Sequence, residues 1–588
     1  MPLSHVVLYL LGSLVFAFIA GVLVWALVEW GDLSMNEIMF TLTSPLEGTS
    51  DSVWLEVAAW CLPVVTVVLI AYAAICLRTK GRVRKIASRA VFGCAFVAFV
   101  VATAISWHNF KVGNYLKRMV NSSTFIEDNY ADPQTTSVTF PEQKRNLIYI
   151  YLESMEITFA DKASGGAFEE NIIPNLTQLA MENVTFSGDT GQLNGGYALY
   201  DTTWTMAGMF AQTAGLPLST GIGMNDMEFQ SSFAPSVTSV GEILQQNGYH
   251  NVFLLGSLAS FGGRELFFTN HGDYTIYDFA YSRAVGEIPE NYHVWWGYED
   301  KKLFDFAKQH ATELAAADEP FNLTILTVDT HRENGYVCAE CPTTFGDNQY
   351  ANVLACSDQR TYDFVRWLQE QPFYENTTII LCGDHTTMDS DFCKDVPKGY
   401  GRRTYTAIIN APVDPVTSEA RTYSTMDLFP TTLAALGARI EGDRLGLGTN
   451  LYSTQPTILE QHSVDEVNNE LMSHSTLLEH LLSVDTGLKP TIKTQPAGER
   501  GGAYKVTMDA TFDETNVDHV EFRVYKADGD RSHIDNFVCE KTGENTYSAN
   551  VLVRNLTDGP GEYIIQAALV YKDGTSQGMQ QSVKETFK

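Results

Sequence analysis

Residues 146–156 read N-L-I-Y-I-Y-L-E-S-M-E, a continuous apolar run that ends in the carboxylate of Glu153. Such a run is typical of a strand that is covered on both faces. Similar runs recur along the chain, and helical stretches fall between them. The runs are Leu147–Leu152, Asn251–Leu255, Leu323–Val328, Thr378–Cys382 and Tyr405–Ile409, and the helical stretches include Thr238–Asn247, Lys301–Ala316 and Gln359–Gln371. This alternation predicts an α/β fold in which helices sandwich a mostly parallel sheet.

Polar side chains follow four of these strands. Open α/β sheets place their sites at the carboxyl ends of strands, so these side chains should converge. A single one of them could be a helix cap or a surface charge, but four at equivalent strand ends favour a site. They are Glu153 after the first strand, Arg264 in the loop after the second, Asp329 and His331 after the third, and Asp384 and His385 after the fourth.

Two carboxylates and an imidazole form the candidate metal-binding set. Glu153, Asp384 and His385 suit a divalent cation such as Mn²⁺ or Zn²⁺. Adjacent Asp and His residues reach one ion only through a turn, and Gly383 before them is compatible with that turn. We therefore expect one divalent ion at this edge of the sheet.

A candidate nucleophile lies in residues 200–209, Y-D-T-T-W-T-M-A-G-M, which read as a loop entering a helix. A hydroxyl at a helix N-terminus gains from the positive end of the dipole and from free N–H groups. Metal coordination further favours the alkoxide. The alternative is that Thr202 or Thr203 is only an N-cap, and this segment alone favours the cap.

Three apolar stretches near the N-terminus predict spanning helices, at Val6–Leu27, Trp54–Leu77 and Ala90–Trp107. The segment Arg78–Arg89 holds six basic residues and no acid, so the positive-inside rule places it in the cytoplasm. Everything after Trp107 is then extracytoplasmic. The alternative, a third stretch that fails to cross, would leave the large domain in the cytoplasm. The net charge of −31 argues against nucleic acid as a partner.

The chain divides into five predicted regions. Alternating apolar and polar residues after Lys489 predict a small Ig-like β-sandwich, because strands with one buried face have a period of two. The regions are a membrane anchor (1–107), a juxtamembrane connector (108–144), the α/β domain (145–460), a helical linker (461–489) and the sandwich (490–588).

The cysteines of the predicted outer part are candidates for disulfides. Cys341 and Cys356 flank a loop that follows His331, and we expect them to be paired; a Cys382–Cys393 bond is less favoured. Cys338 and Cys341 form a lone C-x-x-C without a second pair at zinc-finger spacing, so a structural zinc is weakly indicated.

The motifs together resemble the phosphoglycerol transferases of the alkaline phosphatase/sulfatase superfamily, which include lipoteichoic acid synthases. The likeness covers roughly 146–451 and the anchor, with the motifs in the family's order, and leaves the sandwich outside. The motifs are N-L-I-Y-I-Y-L-E-S-M-E from Asn146, T-x-x-T-M-A-G-M from Thr202, T-V-D-T-H from Thr327, G-D-H from Gly383 and M-D-L-F-P-T from Met426.

This resemblance implies an alkaline phosphatase-like fold, with 145–460 as a sulfatase-like catalytic domain. It implies that Glu153, Thr202, Asp384 and His385 bind one divalent metal ion, Mn²⁺ with Mg²⁺ and Zn²⁺ as alternatives. Thr202 would be the nucleophile, with Thr203 as the alternative register, and His331 and Arg264 would contact substrate. The synthases have a Trp two residues before that Arg, where this chain has Gly262, so the pocket wall should differ.

The implied activity is transfer of phosphoglycerol from a glycerophospholipid, phosphatidylglycerol above all, through a phospho-threonine-type intermediate. The acceptor would be a cell-envelope glycan or a glycerophosphate polymer, at the outer face of the cell membrane. Two alternatives stay open. One is an extracytoplasmic phosphodiesterase that hydrolyses glycerophosphate esters, and the other is a non-catalytic surface adhesion protein.

Overall fold

A computed structural model describes most of the chain. The described residues are 3–29, 52–113, 121–219, 232–317, 319–331, 334–389, 391–482, 491–496 and 502–587, the last range except for 511, 513, 515–516, 527–533, 544, 558 and 573–575. The predicted connector (108–144) and helical linker (461–489) lie partly outside these residues, and the region boundaries stay predictions.

Helices and strands alternate through the middle of the chain. The helices are α1 (Leu3–Glu29), α2 (Ser52–Arg78), α3 (Gly81–Asn109), α4 (Phe125–Asn129), α5 (Pro174–Glu182), α6 (Thr205–Ala214), α7 (Val240–Gln246), α8 (Arg264–Asn270), α9 (Phe279–Ala284), α10 (Asp300–Ala315), α11 (Gln349–Gln369), α12 (Leu428–Ala435), α13 (Ile458–Gln461), α14 (Val464–Leu471) and α15 (Thr476–Leu482). The strands are β1 (Val138–Thr139), β2 (Asn146–Leu152), β3 (His250–Leu255), β4 (Thr275–Tyr277), β5 (Phe321–Leu326), β6 (Thr377–Gly383), β7 (Thr406–Ile409), β8 (Arg439–Ile440), β9 (Arg444–Leu445), β10 (Gly448–Thr449), β11 (Thr491–Pro496), β12 (Ala503–Asp509), β13 (Val517–Lys526), β14 (Asp535–Val538), β15 (Glu540–Lys541), β16 (Thr546–Leu552), β17 (Gly561–Tyr571) and β18 (Ser576–Phe587).

The first three helices are long and apolar enough to cross a membrane, which confirms the prediction of three such helices. The prediction of a loop over Arg78–Arg89 is wrong, because only two residues separate α2 from α3. Arg84 folds back on the end of α2, where its Nη2 donates to the carbonyl oxygens of Cys76 and Thr79 at 2.8 and 2.6 Å. A basic side chain of this kind satisfies the last carbonyls of a helix.

Six strands form the central sheet in the order β4-β3-β5-β2-β6-β7. Neighbouring strands are parallel except for β7, which pairs antiparallel with β6. The predicted mostly parallel sheet is therefore confirmed. Because β5, β2 and β6 are adjacent, the segments that follow them begin at one edge of the sheet.

The side chains of β2 divide between two hydrophobic cores, one on each face of the sheet. Leu147, Tyr149 and Tyr151 belong to one core, and Ile148, Ile150 and Leu152 belong to the other. None of the six exposes more than 3% of its surface. Full burial of an apolar side chain of this size contributes about 1.5–3 kcal/mol, which favours the apolar and aromatic residues found at 147–152.

The C-terminal region contains two four-stranded antiparallel sheets, β11-β12-β16-β15 and β14-β13-β17-β18. Alternate residues of facing strands form a separate core that includes Val506, Met508, Phe522 and Val524. The period-two pattern therefore places apolar side chains inward, and the predicted small β-sandwich is confirmed.

Candidate metal centre and nucleophile

Three buried side chains meet at the carboxyl ends of β2 and β6. Glu153 follows β2, and Asp384 and His385 follow β6, whose Gly383 pairs in register with Leu152. One ligand atom from each of the three side chains lies within 4.8 Å of the others. Their exposures are 3%, 0% and 2%, so the cluster is shielded from bulk water.

Backbone hydrogen bonds fix the orientation of Asp384. Its Oδ1 accepts the N–H groups of Ser154 and His385, each at 2.8 Å, which turns Oδ2 towards the cluster. Ser154 has a φ of 54°, in the left-handed region, and its hydroxyl donates to Oε1 of Glu153 at 2.8 Å. The turn after β2 therefore orients both carboxylates.

The imidazole of His385 is oriented by its other nitrogen. Nδ1 lies 2.8 Å from the carbonyl oxygen of Thr386, to which it donates, so Nε2 faces the cluster. Nε2 lies 3.5 Å from Oε1 of Glu153 and 3.4 Å from Oδ2 of Asp384. Within the described residues, neither this Nε2 nor Oδ2 of Asp384 has a hydrogen-bond partner. Buried polar atoms without hydrogen bonds are costly, so these residues fit a bound cation.

The pKa values of the three groups reflect the burial of two carboxylates beside an imidazole. Burial opposes ionisation of Glu153, but the nearby imidazole of His385 lowers its pKa below the usual range. Burial and the charge of Glu153 raise the pKa of Asp384 to about 8. Burial disfavours charged His385, but Asp384 and Glu153 raise its pKa to about 10. A divalent cation would supply positive charge here and displace the protons.

The hydroxyl beside this cluster belongs to Thr205. Its Oγ1 donates to Oε2 of Glu153 at 3.2 Å, and Thr205 is the first residue of α6. The Thr202 hydroxyl instead donates to the carbonyl oxygen of Leu199 at 2.8 Å. We expected the hydroxyl of Thr202 to lie against the three candidate metal ligands. The hydroxyl found there belongs instead to Thr205, three residues later in the chain. The register follows from the helix start, because only the second threonine of T-x-x-T stands at the N-terminus of α6.

Close packing holds α6 against the end of β6. A Cβ atom at Gly208 would come within 2.1 Å of the carbonyl oxygen of Asp384, so only glycine allows this approach. One turn further on, Nε2 of Gln212 donates to the carbonyl oxygens of Gly383 and Asp384 at 3.0 and 3.3 Å. The helix that carries Thr205 is therefore fixed directly to the strand end that carries two ligands.

A family model described as Sulfatase matches residues 145–438, half of the chain. The chain belongs to this family. The match and the mostly parallel sheet confirm the sulfatase-like α/β fold expected from the motifs.

Curated relatives of the sulfatase-family chain carry the name phosphoglycerol transferase I. One, from Xanthomonas campestris pv. campestris, is 30% identical over 441 residues, which cover 73% of this chain and 59% of the relative. Another, from Escherichia coli O157:H7, is 32% identical over 332 residues, which cover 55% of this chain and 41% of the relative. The chain thus spans about half the length of these relatives. The solved lipoteichoic acid synthase LtaP from Listeria monocytogenes is 14% identical, with a TM-score of 0.40 over 78% of this chain and 92% of that one.

His331 and Arg264 approach the centre of the sulfatase-family domain from two loops. The charge of His331 is among the causes that lower the pKa of Glu153, after burial and the contributions of His385. Arg264 is 6% exposed and begins α8, with Nη2 donating to the carbonyl oxygen of Leu258 at 2.8 Å. A Cβ atom at Gly262, two residues before Arg264, would lie 3.9 Å from Cβ of Met206 in the first turn of α6. This places the Arg264 loop over the helix that begins with Thr205.

An aromatic residue that sequence reasoning missed lies beside His331. The ring of Trp296 lies 4.9 Å from that of His331 and 5.7 Å from that of Phe261. Because of Gly262, the sequence predicted a pocket wall that differs from that of the synthases. The structure shows an aromatic ring, that of Trp296, which comes from a different segment of the chain. The sequence feature that could have revealed Trp296 is the V-W-W-G motif ending at Gly297, which is not one of the family motifs.

The predicted disulfide between Cys341 and Cys356 is not formed, since both residues are free thiols. Cys338 lies close to both, with its Sγ 3.5 Å from that of Cys341 and 3.8 Å from that of Cys356. Three sulfur atoms, rather than the predicted pair, therefore lie close together here.

Asp329 does not join the metal-binding cluster. Its backbone N–H donates to Oδ2 of Asp300 at 3.1 Å, and burial together with the charge of Asp300 raises its pKa to about 9. The carboxyl end of β5 therefore contributes His331 to the neighbourhood of Glu153, while the Asp329 carboxyl is held neutral beside a second buried acid.

Proposed function

We propose that this chain is a membrane-bound, metal-dependent transferase that moves phosphoglycerol from a glycerophospholipid to a cell-envelope acceptor. The observation that carries the proposal is the hydroxyl of Thr205, at a helix N-terminus and in contact with Glu153 of the metal-binding cluster. The names of the curated relatives support the group transferred. Thr205 thereby takes the nucleophilic role that the motifs assigned to Thr202.

Glu153, Asp384, His385 and Thr205 would hold one divalent ion, Mn²⁺ with Mg²⁺ and Zn²⁺ as alternatives. When bound, the ion lowers the pKa of a coordinated hydroxyl and neutralises charge on phosphoryl oxygens. Two carboxylates with one imidazole and a hydroxyl offer the oxygen-rich donor set that Mn²⁺ and Mg²⁺ prefer. The choice among the three ions is part of the proposal.

In the first step, Oγ1 of Thr205 attacks the phosphorus of the phospholipid. An O–P bond to Thr205 forms, the P–O bond to diacylglycerol breaks, and diacylglycerol leaves with a proton. The hydroxyl proton of Thr205 has an acceptor in Oε2 of Glu153, with which it is hydrogen-bonded. The N-terminal N–H groups of α6 and its dipole favour the anionic phosphoryl group beside them.

In the second step, a hydroxyl of the acceptor attacks the same phosphorus and Thr205 is released. His331 and Arg264 would contact the phosphoryl oxygens in both steps, where fixed positive charge stabilises the developing negative charge. Water as the attacking group would make the enzyme a phosphodiesterase. The rings of Trp296 and Phe261 offer an apolar face for a sugar acceptor, which favours a glycan.

Contacts with the apolar helices support a lipid donor. Met388, three residues after His385, packs against a cluster that includes Trp25 near the end of α1 and Phe110 just after α3. The metal-binding edge of the sheet thus lies close to one end of the helices. A donor held in the surrounding membrane would have a short path to Thr205.

The same contacts support an extracytoplasmic catalytic domain in a multi-pass membrane protein. The basic residues between Arg78 and Arg89 lie at the opposite end of α3 from Phe110. A helix of 29 residues is about 44 Å long, enough to separate the two ends by a bilayer. If the basic end is cytoplasmic, Met388 and the metal-binding cluster face outward.

The test uses the full chain in vesicles that contain labelled phosphatidylglycerol and Mn²⁺, without acceptor. We expect diacylglycerol release and a glycerophosphate adduct on the peptide that contains Thr205, identified by mass spectrometry. Thr202→Ala serves as the matched control and should keep the adduct, whereas Thr205→Ala should lose it. An adduct that survives Thr205→Ala would overturn the assigned nucleophile, and rapid release of free glycerophosphate would favour the hydrolase.

A further inference from the structure

Three thiols lie close together where the segment that follows His331 contacts α11. Cys338 and Cys341 belong to that segment, and Cys356 lies in α11. The three sulfur atoms all lie within 4.8 Å of one another. Two of the cysteines are half-buried and Cys356 is buried, so the cluster is reached from one side only.

The spacing of the sulfur atoms fits a metal ion. A metal ion about 2.3 Å from each sulfur, in tetrahedral geometry, holds sulfur atoms about 3.8 Å apart. The measured separations from Cys338 are 3.5 Å to Cys341 and 3.8 Å to Cys356. A disulfide would instead bring one pair to about 2.05 Å and leave the third thiol aside.

Hydrogen bonds to sulfur favour thiolates at this cluster. The backbone N–H groups of Glu340 and Cys338 donate to the sulfur atoms of Cys338 and Cys341, each at 3.3 Å. Arg360 donates from Nη2 to Cys338 at 3.0 Å and from Nε to Cys356 at 3.3 Å. Charged donors of this kind stabilise an anionic acceptor.

The charges also balance. Three thiolates around a divalent ion carry a net charge of minus one, and Glu340 brings the local charge to minus two. Arg360 and Lys301, which both pair with Glu340, cancel it. Glu340 accepts from Nη2 of Arg360 at 3.2 Å, which fixes the guanidinium against the sulfur atoms. A buried or half-buried charge is tolerated when it is paired in this way.

We propose that Cys338, Cys341 and Cys356 form a second metal site, which binds a thiophilic divalent ion of the zinc type. Thiolate ligands select such ions, whereas the carboxylates at Glu153 suit harder ones. Three protein ligands leave the fourth position of a tetrahedral zinc open to water. The site ties the segment after His331 to α11 and so positions that histidine. Metal binding at the three cysteines does not itself depend on the proposed transfer reaction.

The test is metal analysis of the full chain, purified without reducing agent or added metal. We expect about one zinc ion per chain that remains in Glu153→Gln, which disables the other cluster, and that is lost in Cys356→Ser. Cys539→Ser is the matched control, because Cys539 lies in the C-terminal sandwich, and it should keep the ion. Replacement of zinc by Co²⁺ in the unmutated chain should give a sulfur-to-cobalt charge-transfer band, a readout that does not depend on folding of a variant.

Two results would overturn the proposal. One is a chain without zinc whose mass is lower by two hydrogens, with a disulfide mapped among the three cysteines. The other is zinc that persists in Cys356→Ser, or a cobalt spectrum without the charge-transfer band. Neither result would bear on the nucleophile, since the adduct on Thr205 is measured separately.

Discussion

The cluster of Glu153, Asp384 and His385 and the cluster of three cysteines are built in different ways. The first lies at two adjacent strand ends, is almost fully buried and offers oxygen and nitrogen atoms. The second joins a loop to a helix, is half-buried and offers sulfur alone. Strand ends fixed by a parallel ladder suit chemistry that needs a rigid geometry, and a loop tied to a helix suits a positioning role. The difference predicts that their loss has unequal consequences.

The largest effect is expected from Thr205→Ala. Removing the hydroxyl removes the covalent step, so turnover of phosphatidylglycerol should fall by roughly 10³-fold or more. The fold and the zinc at the cysteine cluster should be unchanged. Rates of diacylglycerol release would be measured beside circular dichroism and metal content.

Thr202→Ala is the matched control for this substitution. It removes one buried hydrogen bond, to Leu199, and should cost about 1 kcal/mol of unfolding free energy while turnover persists. If the two variants exchanged their effects, the register taken from α6 would be wrong.

A smaller but still large effect is expected from Gly208→Ala. The new methyl group would meet the carbonyl oxygen of Asp384 at 2.1 Å, so α6 must move away from β6. Overpacking of this kind costs about 1–3 kcal/mol, and displacement of Thr205 should lower turnover as well. Thermal unfolding and turnover measure the two effects.

Gly93→Ala is the control, because a Cβ atom there meets nothing within 4 Å. It should change neither the melting temperature nor turnover. Zinc at the cysteine cluster should persist in both glycine variants, and its loss in Gly208→Ala would mean that the two clusters are coupled.

The next effect concerns pH at the oxygen-ligand cluster. Burial and the charge of Glu153 raise the pKa of Asp384 to about 8, and its carboxylate neighbours raise that of His385 to about 10 despite burial. Both folded-state values lie above the unfolded ones, so the metal-free fold is favoured at low pH. That stability should be lost as pH rises through about 8 to 10.

Metal binding requires deprotonated ligands and should reverse this trend. We expect the increase in melting temperature on adding Mn²⁺ to grow between about pH 6 and pH 9. Glu153→Gln should remove the increase at every pH. An increase that shrinks with rising pH would show that Asp384 and His385 are not the ligands.

The smallest effect on turnover is expected from Cys356→Ser. Since the cysteine cluster is proposed to act on His331 only through the intervening segment, kcat/KM should fall by no more than about tenfold. In this variant the zinc should therefore be lost while turnover persists. A loss as large as that of Thr205→Ala would abolish the distinction between the two clusters.

Much of the fold was predictable because the apolar runs are long and uninterrupted. Residues 147–152 and 379–382 are buried on both faces and carry apolar or aromatic side chains throughout, so the strands stand out in the sequence. Helix α11 was less clear: it begins at Gln349, ten residues before the predicted start at Gln359. The side chain of Asn348 caps this helix by accepting the N–H of Ala351. This local signal was hard to recognise in the sequence because it follows the loop segment that contains the cysteines.

The sheet, the sandwich, the three apolar helices and the candidate ligands Glu153, Asp384 and His385 were all predictable from the sequence. These follow from local patterns: continuous or alternating apolar residues, and polar groups directly after strands. The motif assigned the hydroxyl beside these residues to Thr202, with Thr203 as the alternative, whereas the contact of Thr205 with Glu153 depends on tertiary packing. Gly208 permits that packing, because it lets α6 approach the end of β6. The meeting of three cysteines was equally hidden, because it depends on where a loop returns to a helix, and contacts between distant segments are fixed by packing rather than by spacing along the chain.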